Sequence, residues 1–319
     1  MLIKMKKTWL RILLMLGIIL VLAGIIYVGY GIYKKLTLDI PNPVATIEVE
    51  DYGTIKVELY PDKAPNTVEN FIRLANRGFY NGTTFHRTVP DFVIQGGARE
   101  GDTAASPLLS DVYNLDEVLA NKDLFEAILA VFYNGEYEID DNTTITTYDE
   151  FENLMSSEEG KSKLDNFLNI EYNITGEFVA NGYEDNNLKH EAGVISMARS
   201  DYSNWGYTEQ GYNSAGCQFF ITTEANSGLD GLYAAFGKVI EGMDIVEEIS
   251  NLEVYYRSTE VDSDFETPKD DEGNEIASDT PKEEPVIKSI TVETYGVEYD
   301  APVVSTVFDT SLLLSGMNY

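Results

Sequence analysis

Two stretches, Val44–Glu50 and Thr54–Leu59, alternate apolar and polar residues on either side of Asp51-Tyr52-Gly53, which predicts a β-hairpin with a tight glycine-containing turn. Pro65 then suits the first turn of a helix whose apolar face is Val68, Phe71, Ile72 and Ala75, stopped at Gly78. Further short strands are predicted at 84–89, 91–95, 193–198, 217–222, 233–239 and 286–294, with a second helix near 242–250 presenting Met243, Val246 and Ile249. Many short strands, two helices and frequent glycine turns predict a mainly β fold, a closed barrel capped by helices.

Two stretches break this rhythm. Between 103 and 172 the apolar positions Leu115, Val118, Leu119, Phe125, Ile128, Leu129 and Phe132 follow a helical period, and Leu164, Phe167 and Leu168 continue it. Asn114 with Glu117, and Thr147 with Glu150, have the spacing of helix-start capping boxes. This predicts a helical subdomain inserted into the barrel, its stripe serving as its own core, with a partner-docking role as the competing use. Residues 258–285 are rich in Asp, Glu, Thr, Ser, Pro and Lys, and read as a flexible acidic loop.

Before the hairpin, Ile12 to Tyr33 forms a run of 22 uncharged, mostly apolar residues. At about 1.5 Å per residue it is long enough for a hydrocarbon core of about 30 Å. A cleaved signal peptide has a shorter apolar region and a small-residue exit, so an uncleaved signal anchor over 12–33 is expected. The basic tip, residues 1–11, holds Lys4, Lys6, Lys7 and Arg11, against Lys34 and Lys35 on the other side. The positive-inside rule then places the N-terminus in the cytoplasm and the rest of the chain outside the cell membrane. Residues 34–43 form a linker, 44–297 the main domain and 298–319 a tail.

Charge sharpens this picture. The chain has 22 basic and 54 acidic side chains, a net of −32, and six of the basic ones lie in the first 35 residues, which hold no acid. The rest of the chain carries 16 basic against 54 acidic groups, a net of −38. Such a body argues against nucleic-acid binding. One cysteine, Cys217, and two histidines, His86 and His190, leave little material for a disulfide framework or a metal site, and Asp262–Asp271 lacks calcium-loop spacing. Neither metal nor cofactor is expected.

Nucleophile and phosphate-binding motifs are missing from the sequence; a different cluster stands out. Phe85-His86-Arg87 precedes Val89-Pro90-Asp91-Phe92-Val93-Ile94-Gln95-Gly96-Gly97. Gly193-Val194-Ile195-Ser196-Met197-Ala198-Arg199 and Gln218-Phe219-Phe220-Ile221 come later, then Leu229-Asp230-Gly231 and Phe236-Gly237-Lys238-Val239. On a continuous strand Arg87 shares a face with Phe85, and His86 points to the other. An arginine beside Phe92 and Phe220 is poor core material. It belongs at the edge of an apolar pocket with its donors aimed at a ligand carbonyl. His86 is read as satisfying a structural hydrogen bond, and His190 as part of an ordinary turn.

In this order, and with Ala64-Pro65-x-Thr67-x-x-Asn70-Phe71 in the first helix, these segments resemble the cyclophilin-type peptidyl-prolyl cis–trans isomerases. The resemblance spans about 44–102, 173–256 and 286–297, and implies an eight-stranded barrel capped by two helices with a groove for X-Pro peptides. It makes Arg87 the catalytic arginine. It implies a proline pocket of Phe92, Val93, Phe220 and Leu229, with Gln95, Gln218, Ala198 and Arg199 holding the peptide backbone, and places Tyr233 at a substrate-binding position that is often histidine in the family. Gly228 stands where many eukaryotic members have tryptophan, which implies weak cyclosporin binding. The implied function is isomerisation of X-Pro bonds in exported or surface proteins, assisting their folding. The alternative is a non-catalytic module that holds Pro-containing segments.

Overall fold

The computed structural model describes residues 40–99, 103, 105–140, 142–262, 265–270 and 272–315. The expected anchor over 12–33 lies outside the described residues, and among those described no helix is long and apolar enough to cross a membrane.

The predicted hairpin is present as β1 (Val44–Val49) and β2 (Gly53–Leu59). Alternation drives it: Ala45, Ile47 and Val49 on one strand and Ile55, Val57 and Leu59 on the other are buried. The turn places Asp51 at φ +65° and Gly53 at φ +120°. Six more strands complete the sheet: β3 (Arg87–Val89), β4 (Val93–Gly96), β8 (Val194–Met197), β9 (Phe219–Thr222), β10 (Ala235–Glu241) and β11 (Ile287–Glu293). Their order is β11-β1-β2-β10-β8-β9-β4-β3.

The barrel is therefore not closed as expected. The eight strands curl into a half-barrel whose terminal strands, β11 and β3, form no ladder with each other. The seam is joined instead by an isolated bridge, Thr84 to Val286, and by backbone hydrogen bonds between residues 82–85 and residues 285–287. β3 is three residues long, and on its outer edge the Thr88 N–H donates to the Asp279 carbonyl at 2.9 Å instead of to a strand.

Helix α1 (Pro65–Asn76) begins at the expected proline and buries Val68, Phe71, Ile72, Leu74 and Ala75. Phe71 meets Phe219 edge-on at 5.7 Å and Tyr80 at 5.3 Å. The start of α1 is capped from a distance, because the buried Glu177 carboxylate accepts the N–H groups of Asn66 and Thr67 at 3.1 and 2.8 Å. Asn70, fully buried, donates to the Gly216 carbonyl at 2.7 Å and accepts from the Tyr172 hydroxyl at 2.6 Å. The second helix, α8 (Met243–Ser250), buries Val246 and Ile249.

Between β4 and β8 run five short helices: α2 (Leu109–Val112), α3 (Leu115–Ala120), α4 (Lys122–Tyr133), α5 (Tyr148–Met155) and α6 (Glu158–Ser162). Both expected capping boxes form, at Asn114/Glu117 and at Thr147/Glu150. The apolar stripe turns inward, with Phe125, Ile128 and Leu129 buried around Phe151 and Phe167. Two details differ from expectation. Residues 137–145 form a hairpin, β5 (Tyr137–Asp140) with β6 (Thr143–Ile145), and residues 163–168 run as turns, although Leu164, Phe167 and Leu168 are buried as their pattern requires.

Within 258–285, Phe265 packs on Tyr256 just before the segment at 4.8 Å, Lys269 and Glu275 form a single β-bridge, and Asp279 is buried. After β11 the chain returns past β7 (Tyr172–Asn173), which pairs with β12 (Ser305–Thr306). Phe308 then packs on Tyr202 at 5.2 Å and Tyr207 at 4.9 Å. The 200–212 loop thus carries part of the tail. It includes the short helix α7 (Thr208–Tyr212).

Candidate active site

Strand register assembles the site. Arg87 on β3 pairs with Gln95 on β4, and Gln95 pairs with Phe220 on β9, which sets the three side by side on one face of the sheet. Phe219, the residue before Phe220, points to the opposite face and into the aromatic core with Phe71, Tyr80 and Phe85. The face carrying Arg87 bounds a cavity of about 190 Å³ lined by Arg87, Phe92, Val93, Gln95, Ala198, Arg199, Phe220, Leu229 and Tyr233. Nine of the ten residues expected at the site therefore meet around one hollow. The tenth, Gln218, lines the adjoining cavity with Gln95, Ala198 and Arg199; it accepts from Gln95 Nε2 at 3.0 Å, while its own Nε2 donates to the Thr103 carbonyl at 2.7 Å.

The floor is apolar. Val93, Phe220 and Leu229 are buried there, with Phe92, Ala198 and Tyr233 packed around them. Tyr233 meets Phe220 edge-on at 5.4 Å. The two arginines differ in how they are held. Arg199 lies over the rings of Tyr233 (4.5 Å) and Tyr212 (4.9 Å) and donates to the carbonyls of Leu232 and Ser200, so its donors are partly spent on the wall. The Arg87 guanidinium is about one-third exposed, and its nearest acidic group among the described residues is Asp279 at 3.9 Å. At that distance no hydrogen bond forms. A half-open cation with free donors above an apolar hollow suits a neutral, polar-backed ligand such as a prolyl peptide unit.

One expectation about a neighbouring residue changes. Phe85 does not share a face with Arg87: β3 begins at Arg87, so the two-residue alternation does not reach back to Phe85, which is buried against Phe219. His86 is 9% exposed and its Nδ1 has no hydrogen-bond partner, although the ring also interacts with the Thr84 backbone and the Gln218 side chain. Burial, aided by the Arg87 charge, pushes His86 down to about 4. This gives a pH prediction. The unfolded chain protonates near the ordinary value of 6.5 and the folded one only near 4, so His86 erodes stability as pH falls through that window. The loss reaches about 3 kcal/mol at the acid end. His86→Gln, which cannot protonate, should flatten this part of the pH dependence in denaturant unfolding. Parallel curves for the two proteins would refute it.

Sequence reading missed two residues. His190 is not in an ordinary turn: it is 2% exposed, its ring lies nearly parallel to Phe220 at 6.1 Å, and Nε2 and Nδ1 face Ser196 Oγ at 2.8 Å and Asp230 Oδ1 at 3.3 Å. Ser196 is fully buried, so this Ser–His–Asp row braces the pocket wall and offers no accessible nucleophile. Asp279 is the other, and nothing in its acidic surroundings marks it out.

The chain matches the family model for cyclophilin type peptidyl-prolyl cis-trans isomerases over residues 44–292. It is 30% identical over 206 residues to peptidyl-prolyl cis-trans isomerase B of Bacillus subtilis, covering 65% of this chain and 90% of that protein. It is 27% identical over 209 residues to a peptidyl-prolyl cis-trans isomerase of Synechococcus elongatus, covering 65% and 88%. Among solved structures, a cyclophilin type isomerase of Cryptosporidium parvum, crystallised in the presence of the dipeptide Ala-Pro, aligns with TM-score 0.43 at 22% identity over 78% of this chain and 98% of that one. With its family model matched over most of its length, the chain belongs to the cyclophilin-type peptidyl-prolyl cis–trans isomerases.

Proposed function

We propose that the peptidyl-prolyl isomerase activity of this chain resides in the hollow beneath Arg87, with Arg87 as its catalytic residue. The observation that carries this reading is a guanidinium with unspent donors over a cavity walled by Phe92, Val93, Phe220, Leu229 and Tyr233. Amide resonance gives X-Pro rotation a barrier of about 18–20 kcal/mol. Twisting the bond breaks conjugation and returns a lone pair to the proline nitrogen. Arg87 donates to that nitrogen and steadies the prolyl carbonyl, an interaction strongest when the bond is half-turned. The apolar floor holds the ring, and Gln95, kept in place by Gln218, offers an amide to the peptide backbone alongside Ala198 and Arg199. Lowering the barrier by about 7 kcal/mol would give on the order of 10⁵-fold acceleration. No bond is made or broken, so no nucleophile or proton carrier takes part. An isomerisation assay on an Ala-Pro peptide, wild type beside Arg87→Ala, tests the reading and separates it from a non-catalytic holding role.

We further propose that the chain is a single-pass membrane protein whose isomerase domain faces outward and acts on exported proteins. The uncharged run over 12–33 and the four basic residues before it support this. So does the contrast between a basic tip and an acidic body. Protease added to intact cells should remove the domain. Digestion only after the membrane is opened would rule the orientation out.

A further inference from the structure

Asp279 belongs to the most acidic stretch of the chain, yet it is 1% exposed. Its backbone is fixed on both sides: its N–H donates to the Tyr256 carbonyl, and its carbonyl accepts from Thr88 N–H on β3, each at 2.9 Å. At φ +63° the residue sits in a left-handed turn. Oδ1 lies 3.6 Å from Arg257 Nη1 and accepts a long bond from the Ser258 N–H at 3.4 Å. Oδ2 has no hydrogen-bond partner and lies 3.9 Å from Arg87 Nη2. Burying a carboxylate with one oxygen unsatisfied is costly, and its compensation here is two guanidinium groups. They are not equivalent. Arg257 donates to the carbonyls of Thr88 and Leu252 and is committed to the loop. The Arg87 side chain makes no hydrogen bond among the described residues.

We propose that Asp279 is a positioning residue for Arg87, an inference that rests on Arg87 being the catalytic group. A buried negative charge holds the guanidinium over the hollow, and at 3.9 Å it does so without taking up the N–H donors that the peptide needs. Because the carboxylate is buried, salt screens this attraction less than it would a surface pair. The segment around 279 thereby tunes a reaction whose substrate it does not touch.

The test uses the full chain in detergent, with wild type, Arg87→Ala and Asp279→Asn assayed on an Ala-Pro peptide. Asp279→Asn is expected to fold and to lower kcat by about tenfold, as a slightly misplaced group does. KM should stay within about twofold, because the floor that binds the ring is intact. The Arg87 side-chain Nε–H NMR resonance, assigned with Arg87→Lys, should move or broaden in the same variant. A folded Asp279→Asn with unchanged kcat and an unchanged Arg87 resonance overturns the proposal, even if its stability falls. If Arg87→Ala retains wild-type activity, the catalytic assignment fails instead. Should Asp279→Asn not fold, the wild-type spectrum decides: an ordered Arg87 resonance supports positioning, and one merged with freely rotating arginines overturns it.

Discussion

Arg87→Ala is expected to cut kcat for an Ala-Pro peptide by about 10²- to 10³-fold, the usual cost of removing one donor that serves the transition state. The loss should appear in kcat more than in KM, since the hollow that accepts the ring is lined by Phe92, Val93, Phe220 and Leu229, which remain. The fold should survive. The Arg87 side chain is one-third exposed, and Arg257 still faces the Asp279 carboxylate at 3.6 Å. Arg87→Lys should fall between the two, because a compact ammonium keeps the charge and loses the planar fork. Stopped-flow isomerisation with circular dichroism on the same samples measures both halves. Equal rates for wild type and Arg87→Ala would end the assignment.

Phe167→Ala should be the most destabilising single change in the 103–172 segment. Phe167 is fully buried and meets Tyr137 at 5.0 Å, Tyr133 at 5.4 Å, Phe151 at 5.5 Å and Phe125 at 6.0 Å. Truncating such a ring costs about 3–5 kcal/mol, from lost burial and the cavity left behind. If the segment is an inserted folding unit, hydrogen exchange should speed up across α4 and α5 while β1 and β2 keep their protection, and peptide isomerisation should persist. Uniform loss of protection in both regions would show one cooperative unit and remove the case for an insert.

How much of this was legible in the sequence depends on the range of the interaction involved. The capping boxes at Asn114/Glu117 and Thr147/Glu150 are local, three residues apart, and form as read. That Arg87, Gln95 and Phe220 belong to one site was implied by the motif order through the family resemblance, and they do meet; the strand register that sets them side by side was not legible. The open seam was not legible, because it depends on how residue 84 meets residue 286. Phe85 was misplaced because a strand's start is set by pairing, not by composition. The hairpin over 137–145 was hidden by its brevity within a helical stretch. Asp279 was invisible for another reason: in a run of solvated acids, a single buried one looks the same.

The seam bears on how the enzyme coexists with what it handles. β3 ends the sheet, and a terminal strand offers unpaired N–H and C=O groups to any extended chain nearby. An extended peptide is such a chain, and strand addition would hold it without regard to proline. Those groups are occupied from within. Thr88 N–H is taken by the Asp279 carbonyl, the Thr88 carbonyl by Arg257, and just upstream Phe85 N–H by the Pro285 carbonyl at 2.9 Å. The chain has in effect supplied its own blocking peptide. An extended chain finds no ladder to join at Thr88, and on the proposed reading only the hollow beside it is left to hold a single prolyl ring.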